Sequence, residues 1–124
     1  MTAVLDASAL LAWLQDEPGA SVVRERLDGG IVSAANWSEV LQKIELHGRD
    51  ATEAGILLEA LGIEVADVTK EDGEEAARLW AGARHLSLAD RLCLAAGKRL
   101  GAEVLTADSA WLSVDDRISV TVIR

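Results

Sequence analysis

Short apolar and β-branched runs alternate along this chain with segments of helical periodicity, and no other feature constrains its folding more. Residues 2–5, 31–33, 63–68, 103–106 and 118–123 read as strands. Between them lie helical patterns at 7–14, from just after 17–19 to 29–30, at 35–47, 50–61, 69–84 and 87–101, with a short helical turn at 109–112. This alternation predicts an α/β fold with a mainly parallel central sheet flanked by helices. The punctuation agrees. Glu17-Pro18-Gly19 opens the second helix with Pro18 in its first turn, and Gly48, Gly62 and Gly101 close later helices. Asp50 with Glu53, and Thr69 with Asp72, have the spacing of helix N-caps. No linker, repeat or low-complexity tract interrupts the pattern. Residues 1–124 therefore read as one domain, long enough to bury its own core.

Four acids occupy special places in this pattern. Asp6 directly follows the first strand, and Asp108 follows the run Val104-Leu105-Thr106-Ala107. Asp90 lies in the first turn of the helix that Ser87 begins, and Glu39 lies within a helix. The carboxyl ends of the strands in an open parallel sheet line one crevice, where ligands bind, so acids distant in sequence are predicted to meet there. Each also has a structural role open to it. Asp6 and Asp108 suit N-caps, Asp90 suits a capping box with Ser87, and Glu39 suits a solvated helix face.

The surroundings of the acids are apolar: Val4-Leu5 and Ala7-Ser8-Ala9-Leu10-Leu11 around Asp6, Leu86, Leu88 and residues 92–96 around Asp90, Trp111 after Asp108. Carboxylates embedded this way are costly unless paired or metal-bound. Brought together, they would raise one another's pKa and titrate as a cluster. A divalent cation removes that conflict, and oxygen-only ligands favour Mg²⁺ or Mn²⁺ over zinc. Such a site suits phosphodiester hydrolysis, because the ion polarises a phosphoryl oxygen and lowers the pKa of the attacking water. Neither His47 nor His85 has the spacing of a metal-ligand or nucleophile–base pair, which leaves a zinc hydrolase or serine triad unsupported.

The net charge of −9 argues against a protein that coats nucleic acid through a broad basic surface. It fits an acidic metal site, a basic partner, or solubility. No run of about eighteen apolar residues is present to span a membrane, and the N-terminus lacks the basic-then-apolar order of a signal peptide. The lone Cys93 excludes an intramolecular disulfide and reads as a small core residue. These features predict a cytoplasmic protein with no membrane association.

Four segments in order, Val4-Leu5-Asp6-Ala7-Ser8-Ala9-Leu10-Leu11-Ala12, Asn36-Trp37-Ser38-Glu39-Val40, Leu86-Ser87-Leu88-Ala89-Asp90-Arg91-Leu92-Cys93-Leu94-Ala95 and Leu105-Thr106-Ala107-Asp108-Ser109-Ala110-Trp111, resemble the PIN-domain nucleases. The resemblance covers essentially the whole chain. Its short length and Glu17-Pro18-Gly19 turn look most like VapC-type toxins of toxin–antitoxin pairs. The resemblance implies endoribonuclease activity dependent on Mg²⁺, with Mn²⁺ able to substitute, and a site formed by Asp6, Glu39, Asp90 and Asp108. Ser8, Thr106 and Asn36 match positions that support the acids. It also implies an RNA substrate, a cognate antitoxin covering the acidic groove with a basic side chain, and a homodimer. A further acid near the last strand occurs in some relatives, but neither Asp115 nor Asp116 is assigned to that place.

Lys43, Arg84, Arg91 and Lys98 are the candidates for RNA phosphates. Lys43 shares the helix face of Glu39, with which it can equally pair; Arg91 directly follows Asp90 and so points away from it, though its side chain is long enough to reach the groove rim. Lys98 with Arg99 suits a helix C-terminus. Trp13 and Trp80 are expected in the core or a dimer face and Trp111 beside the site, with base stacking the less favoured role. A housekeeping RNA-processing nuclease of the same family is an alternative. Two readings compete from outside it. A haloacid-dehalogenase-like phosphatase also places Asp after its first strand, but its second Asp is Ser8 here. A non-catalytic interaction protein is the other.

Overall fold

The run Ala3-Val4-Leu5 is apolar throughout, which suits a strand covered on both faces. The computed structural model, which describes residues 2–124, makes it β1 (Ala3–Leu5), with every residue buried. The other strands are β2 (Ile31–Ser33), β3 (Glu64–Ala66), β4 (Glu103–Thr106) and β5 (Val120–Val122). They form one sheet of order β3-β2-β1-β4-β5 in which every pairing is parallel. The helices are α1 (Ala7–Leu14), α2 (Ala20–Arg24), α3 (Ala34–Leu46), α4 (Ala51–Ala60), α5 (Lys70–Leu79) and α6 (Leu88–Leu100). The predicted α/β class is the observed one.

Pleating divides the core in two. Ala3, Leu5 and Leu105 face Leu10, Val23, Val40 and Leu58 from α1 to α4. Val4 and Val104 face Leu79, Cys93, Leu94 and Trp111 on the other side. A side chain at Gly97 would collide with Val104, so its absence lets α6 lie directly on β4. Capping boxes Thr69–Asp72 and Ser87–Asp90 set the starts of α5 and α6, and Gly101, at φ +60°, ends α6.

The second helix departs most from expectation. It starts at Ala20 rather than at Pro18, because Gly19 forms its cap at φ +94° with its backbone pressed against Ile123. It ends at Arg24 instead of running to residues 29–30. Turns bonding Arg26 N–H to the Val23 carbonyl and Gly30 N–H to that of Leu27 steer the chain into β2. The edge strands β3 and β5 are shorter than the runs that predict them. α5 gives way at Trp80 to the 3-10 turn Trp80–Gly82, short of Arg84. Trp111 is buried and Trp13 partly so, but Trp80 is 49% exposed and is not in the core. Cys93 is buried and free. Among the described residues no helix is long and apolar enough to cross a membrane.

Candidate active site

Connections from β1 lead to β2 and β3 on one side, whereas β4 returns to the other side of β1. Strand order therefore reverses between β1 and β4, the position at which an open parallel sheet leaves a crevice beyond its carboxyl ends. Asp6 follows β1 there and Asp108 lies two residues beyond β4. The backbone N–H of Asp6 still donates to the Leu105 carbonyl at 3.1 Å, so both acids leave the same strand pair.

The Asp6 side chain caps α1, its Oδ1 accepting from Ala9 N–H at 2.8 Å. Thr106 Oγ1 donates to Oδ2 at 2.7 Å, and Ser8 Oγ lies 2.8 and 2.9 Å from the two oxygens. Both hydroxyls are themselves oriented. Ser8 Oγ accepts from Ala107 N–H at 2.9 Å, and Thr106 Oγ1 from Asp108 N–H at 3.1 Å. Their hydrogens are thereby directed at Asp6. Asp6 is 3% exposed, and burial pushes its pKa up to about 6. The bonds from Thr106, Ala9 and Ser8 oppose that rise, while the charge of Asp90 adds to it.

Asp90 is partly buried in the first turn of α6, where Oδ2 accepts from Ser87 N–H at 3.4 Å. Burial raises its pKa against the bonds from Ser87, and Asp108 raises it further. Asp108 is exposed and caps the 3-10 turn Ser109–Trp111, accepting from Ala110 N–H at 2.9 Å. Glu39 on α3 is partly buried, with Oε1 held at 2.9 Å by Nδ2 of the fully buried Asn36. Burial pushes the Cys93 thiol up, and the charges of Asp6, Asp90 and Glu39 push it further. Each cap anticipated for Asp6, Asp90 and Asp108 is thus present alongside this electrostatic coupling.

No ion pair among the described residues includes Asp6, Glu39, Asp90 or Asp108. The donor set is all oxygen, and Asp6 is a buried carboxylate whose partners are neutral. This chemistry fits a hard divalent cation. Among the described residues no three His, Cys, Asp or Glu side chains close into a metal cage. The acids are related through charge, Asp90 acting on Asp6 and Asp108 on Asp90.

The cations separate into two groups. Lys43 is exposed on α3, and Arg84 stacks over Trp80 at 4.4 Å from the ring centroid. Arg91 turns to α5 instead of the groove rim that its length would allow: its Nη1 donates to the Ala76 carbonyl at 2.7 Å. Lys98 is likewise turned toward α5, paired with Glu75. Trp80 and Arg84 stand four residues apart, the spacing of side-chain neighbours on one helix face, so their stack was open to sequence reasoning. The bond from His85 Nε2 to the Ala110 carbonyl, at 3.0 Å, spans 25 residues and leaves no such local signal.

Comparison with known proteins yields a consistent picture. A chain of a toxin–antitoxin complex from Klebsiella pneumoniae superposes with a TM-score of 0.82 at 15% identity, covering 98% of both chains. A chain of VapBC-1 from nontypeable Haemophilus influenzae gives 0.72 at 13% identity, covering 99% of this chain and 98% of that one. FitAcB from Neisseria gonorrhoeae gives 0.71 at 19% identity, covering 95% of each. At these identities the likeness establishes the fold. No curated protein matches the sequence. The family model described as PIN domain matches residues 3–117, and the chain belongs to the PIN-domain family.

Proposed function

We propose that this protein is a divalent-metal-dependent endoribonuclease acting as the toxin of a toxin–antitoxin pair, with residues 1–124 as its single nuclease domain. One observation carries the reading most directly: Asp6 is a buried carboxylate at the switch point of the sheet, coupled to Asp90, and no cation among the described residues pairs with it. Membership of the PIN family and the fold shared with chains of toxin–antitoxin complexes support it.

In this reading Asp6, Asp90 and Asp108 hold Mg²⁺ or Mn²⁺, and Glu39 binds it or orients the attacking water. The bound ion supplies charge neutralisation at the scissile phosphate and a water of lowered pKa. Ser8 and Thr106 fix the direction of the Asp6 oxygens, so the carboxylate meets its ligand without reorganising. Asn36 does the same for Glu39 Oε1, leaving Oε2 for a proton leaving water. Hydrolysis joins the water oxygen to phosphorus and releases the adjoining ribose oxygen. The acid rim also attracts a basic segment of an antitoxin. Leu46, Ile56 and Leu57, exposed on α3 and α4, offer an apolar surface to a protein partner, either the antitoxin or a second copy in a homodimer.

Cleavage of a mixed cellular RNA pool tests this reading. The wild type in Mg²⁺ or Mn²⁺ should yield discrete products that chelator abolishes. Asp6→Asn should lower the rate on the order of 10³-fold. Expression in a bacterial host should arrest growth only with Asp6 intact. Identical products from wild type and Asp6→Asn would remove the acid rim from the chemistry, and partner binding without cleavage would leave an interaction protein.

A further inference from the structure

We propose that Trp80 and Arg84 form a platform that holds single-stranded RNA beside the cleavage site, an inference that rests on the nuclease reading above. Trp80 begins the 3-10 turn after α5 with half its surface exposed, unlike the buried Trp111 and the partly buried Trp13 and Trp37. The Arg84 guanidinium lies 4.4 Å from the centre of its ring. Arg84 makes no ion pair among the described residues. Its planar fork is therefore ordered by stacking while its charge stays unspent, as a phosphate contact requires.

Connectivity places this pair at the acid rim. Three residues beyond Arg84, Ser87 exchanges hydrogen bonds with Asp90, at 3.1 and 3.4 Å. The neighbouring His85 donates from Nε2 to the Ala110 carbonyl at 3.0 Å, and Ala110 N–H is in turn held by Asp108 at 2.9 Å. The segment carrying Arg84 is thus tied to the turns that present Asp90 and Asp108. Exposed Leu88 and Leu112 flank the same two acids. A single RNA strand offers an anionic backbone and unstacked base faces, and it is bound by cations and aromatic rings together. An acid rim supplies neither. Trp80 and Arg84 supply both at its edge, on a chain whose net charge of −9 provides little general attraction for nucleic acid.

The test uses the full chain carrying Asp6→Asn, with Mg²⁺ present, and a short fluorescein-labelled single-stranded oligoribonucleotide of mixed sequence. Affinity is read by anisotropy across a salt series. Trp80→Ala should weaken binding about tenfold at every salt concentration, as loss of one stacked base does. Arg84→Ala should also reduce the slope of log affinity against log salt by about 0.7, the value for one phosphate on a single strand. Arg84→Lys should restore that slope. Sedimentation of each variant should match the parent. Equal affinity and slope in all variants would overturn the platform while leaving the nuclease reading standing. Absence of RNA binding by the Asp6→Asn parent would overturn both. A change in sedimentation accompanying weaker binding would make this face a self-association surface and overturn the platform.

Discussion

Along the seam between α5 and α6, Asp72 and Glu75 are as inaccessible as Asp6 at the end of β1, at 2%, 5% and 3% exposure. In the seam each acid meets cations. Arg99 grips Asp72 through Nε at 2.8 Å and Nη2 at 3.2 Å. Glu75 receives Lys98 and both donors of Arg78. The Arg78 bonds hold the Glu75 pKa below the usual carboxylate range against the effect of burial, with Lys98 adding to them. Among the described residues Asp6 has Ser8, Thr106 and a backbone N–H as hydrogen-bond partners, all neutral, and its pKa moves the other way. Neutral donors satisfy the oxygens without cancelling the charge. The seam is neutralised from within and reads as structure, whereas the crevice keeps an unmatched negative charge where an outside cation can supply the balance.

That contrast predicts stability changes of opposite sign when each acid is neutralised. Without divalent metal at neutral pH, Asp6→Asn should stabilise the fold by about 1–2 kcal/mol, since it removes a buried charge. Glu75→Gln should destabilise it by about 1–3 kcal/mol, the lower part of the range for broken buried pairs because Lys98 and Arg78 can hydrate. Urea melts of the two variants decide, and shifts of the same sign would break the comparison.

The pH dependence separates the sites further. Asp6 has a folded pKa of about 6 against an ordinary 3.8, so the folded state favours its protonated form. Its contribution to stability is present in full below the unfolded value and is lost as pH rises through about 6. Glu75 behaves oppositely: its stabilisation is present above its ordinary value of 4.5 and is lost as pH falls through its lowered folded value. Subtracting the Asp6→Asn stability curve from that of the wild type should therefore leave a decline across this interval, worth at most about 3 kcal/mol. A flat difference would mean that Asp6 is screened after all.

Two smaller effects sharpen the picture of the crevice. Thr106→Val keeps the side-chain shape but removes a donor to Asp6 and the acceptor of Asp108 N–H. Affinity for Mn²⁺, measured by titration calorimetry, should fall about tenfold. Lys43→Ala should weaken RNA binding by about threefold through one lost phosphate contact, with Mn²⁺ affinity unchanged. Unchanged RNA affinity would remove Lys43 from the substrate path.

The elements most legible in the sequence are those with local signals at both ends. α1 and β4 occupy the spans that their patterns predict, and α6 begins at the Ser87–Asp90 box and ends at Gly101. α2 was not legible, because Gly19 against Ile123 and Gly29 N–H on the Gly62 carbonyl are distant contacts. The caps of Asp6, Asp90 and Asp108 were legible for the same local reason. The long side chain of Arg91 could have turned toward the groove rim, but its guanidinium found the Ala76 carbonyl of α5, a contact fifteen residues away that the sequence does not signal.

By itself, the sequence determined the α/β alternation, the helix caps, and acids placed just beyond two strands, because periodicity and capping act within a few residues. Tertiary structure alone decided that β4 lies beside β1. That pairing brings the Thr106 hydroxyl onto a carboxylate one hundred residues away. It also decided which buried acids receive a cation, since Arg99 and Lys98 reach Asp72 and Glu75 only across the packed faces of two helices. Strand order and charge pairing depend on which faces can be buried together, and contacts of that range leave no periodic signal along the chain.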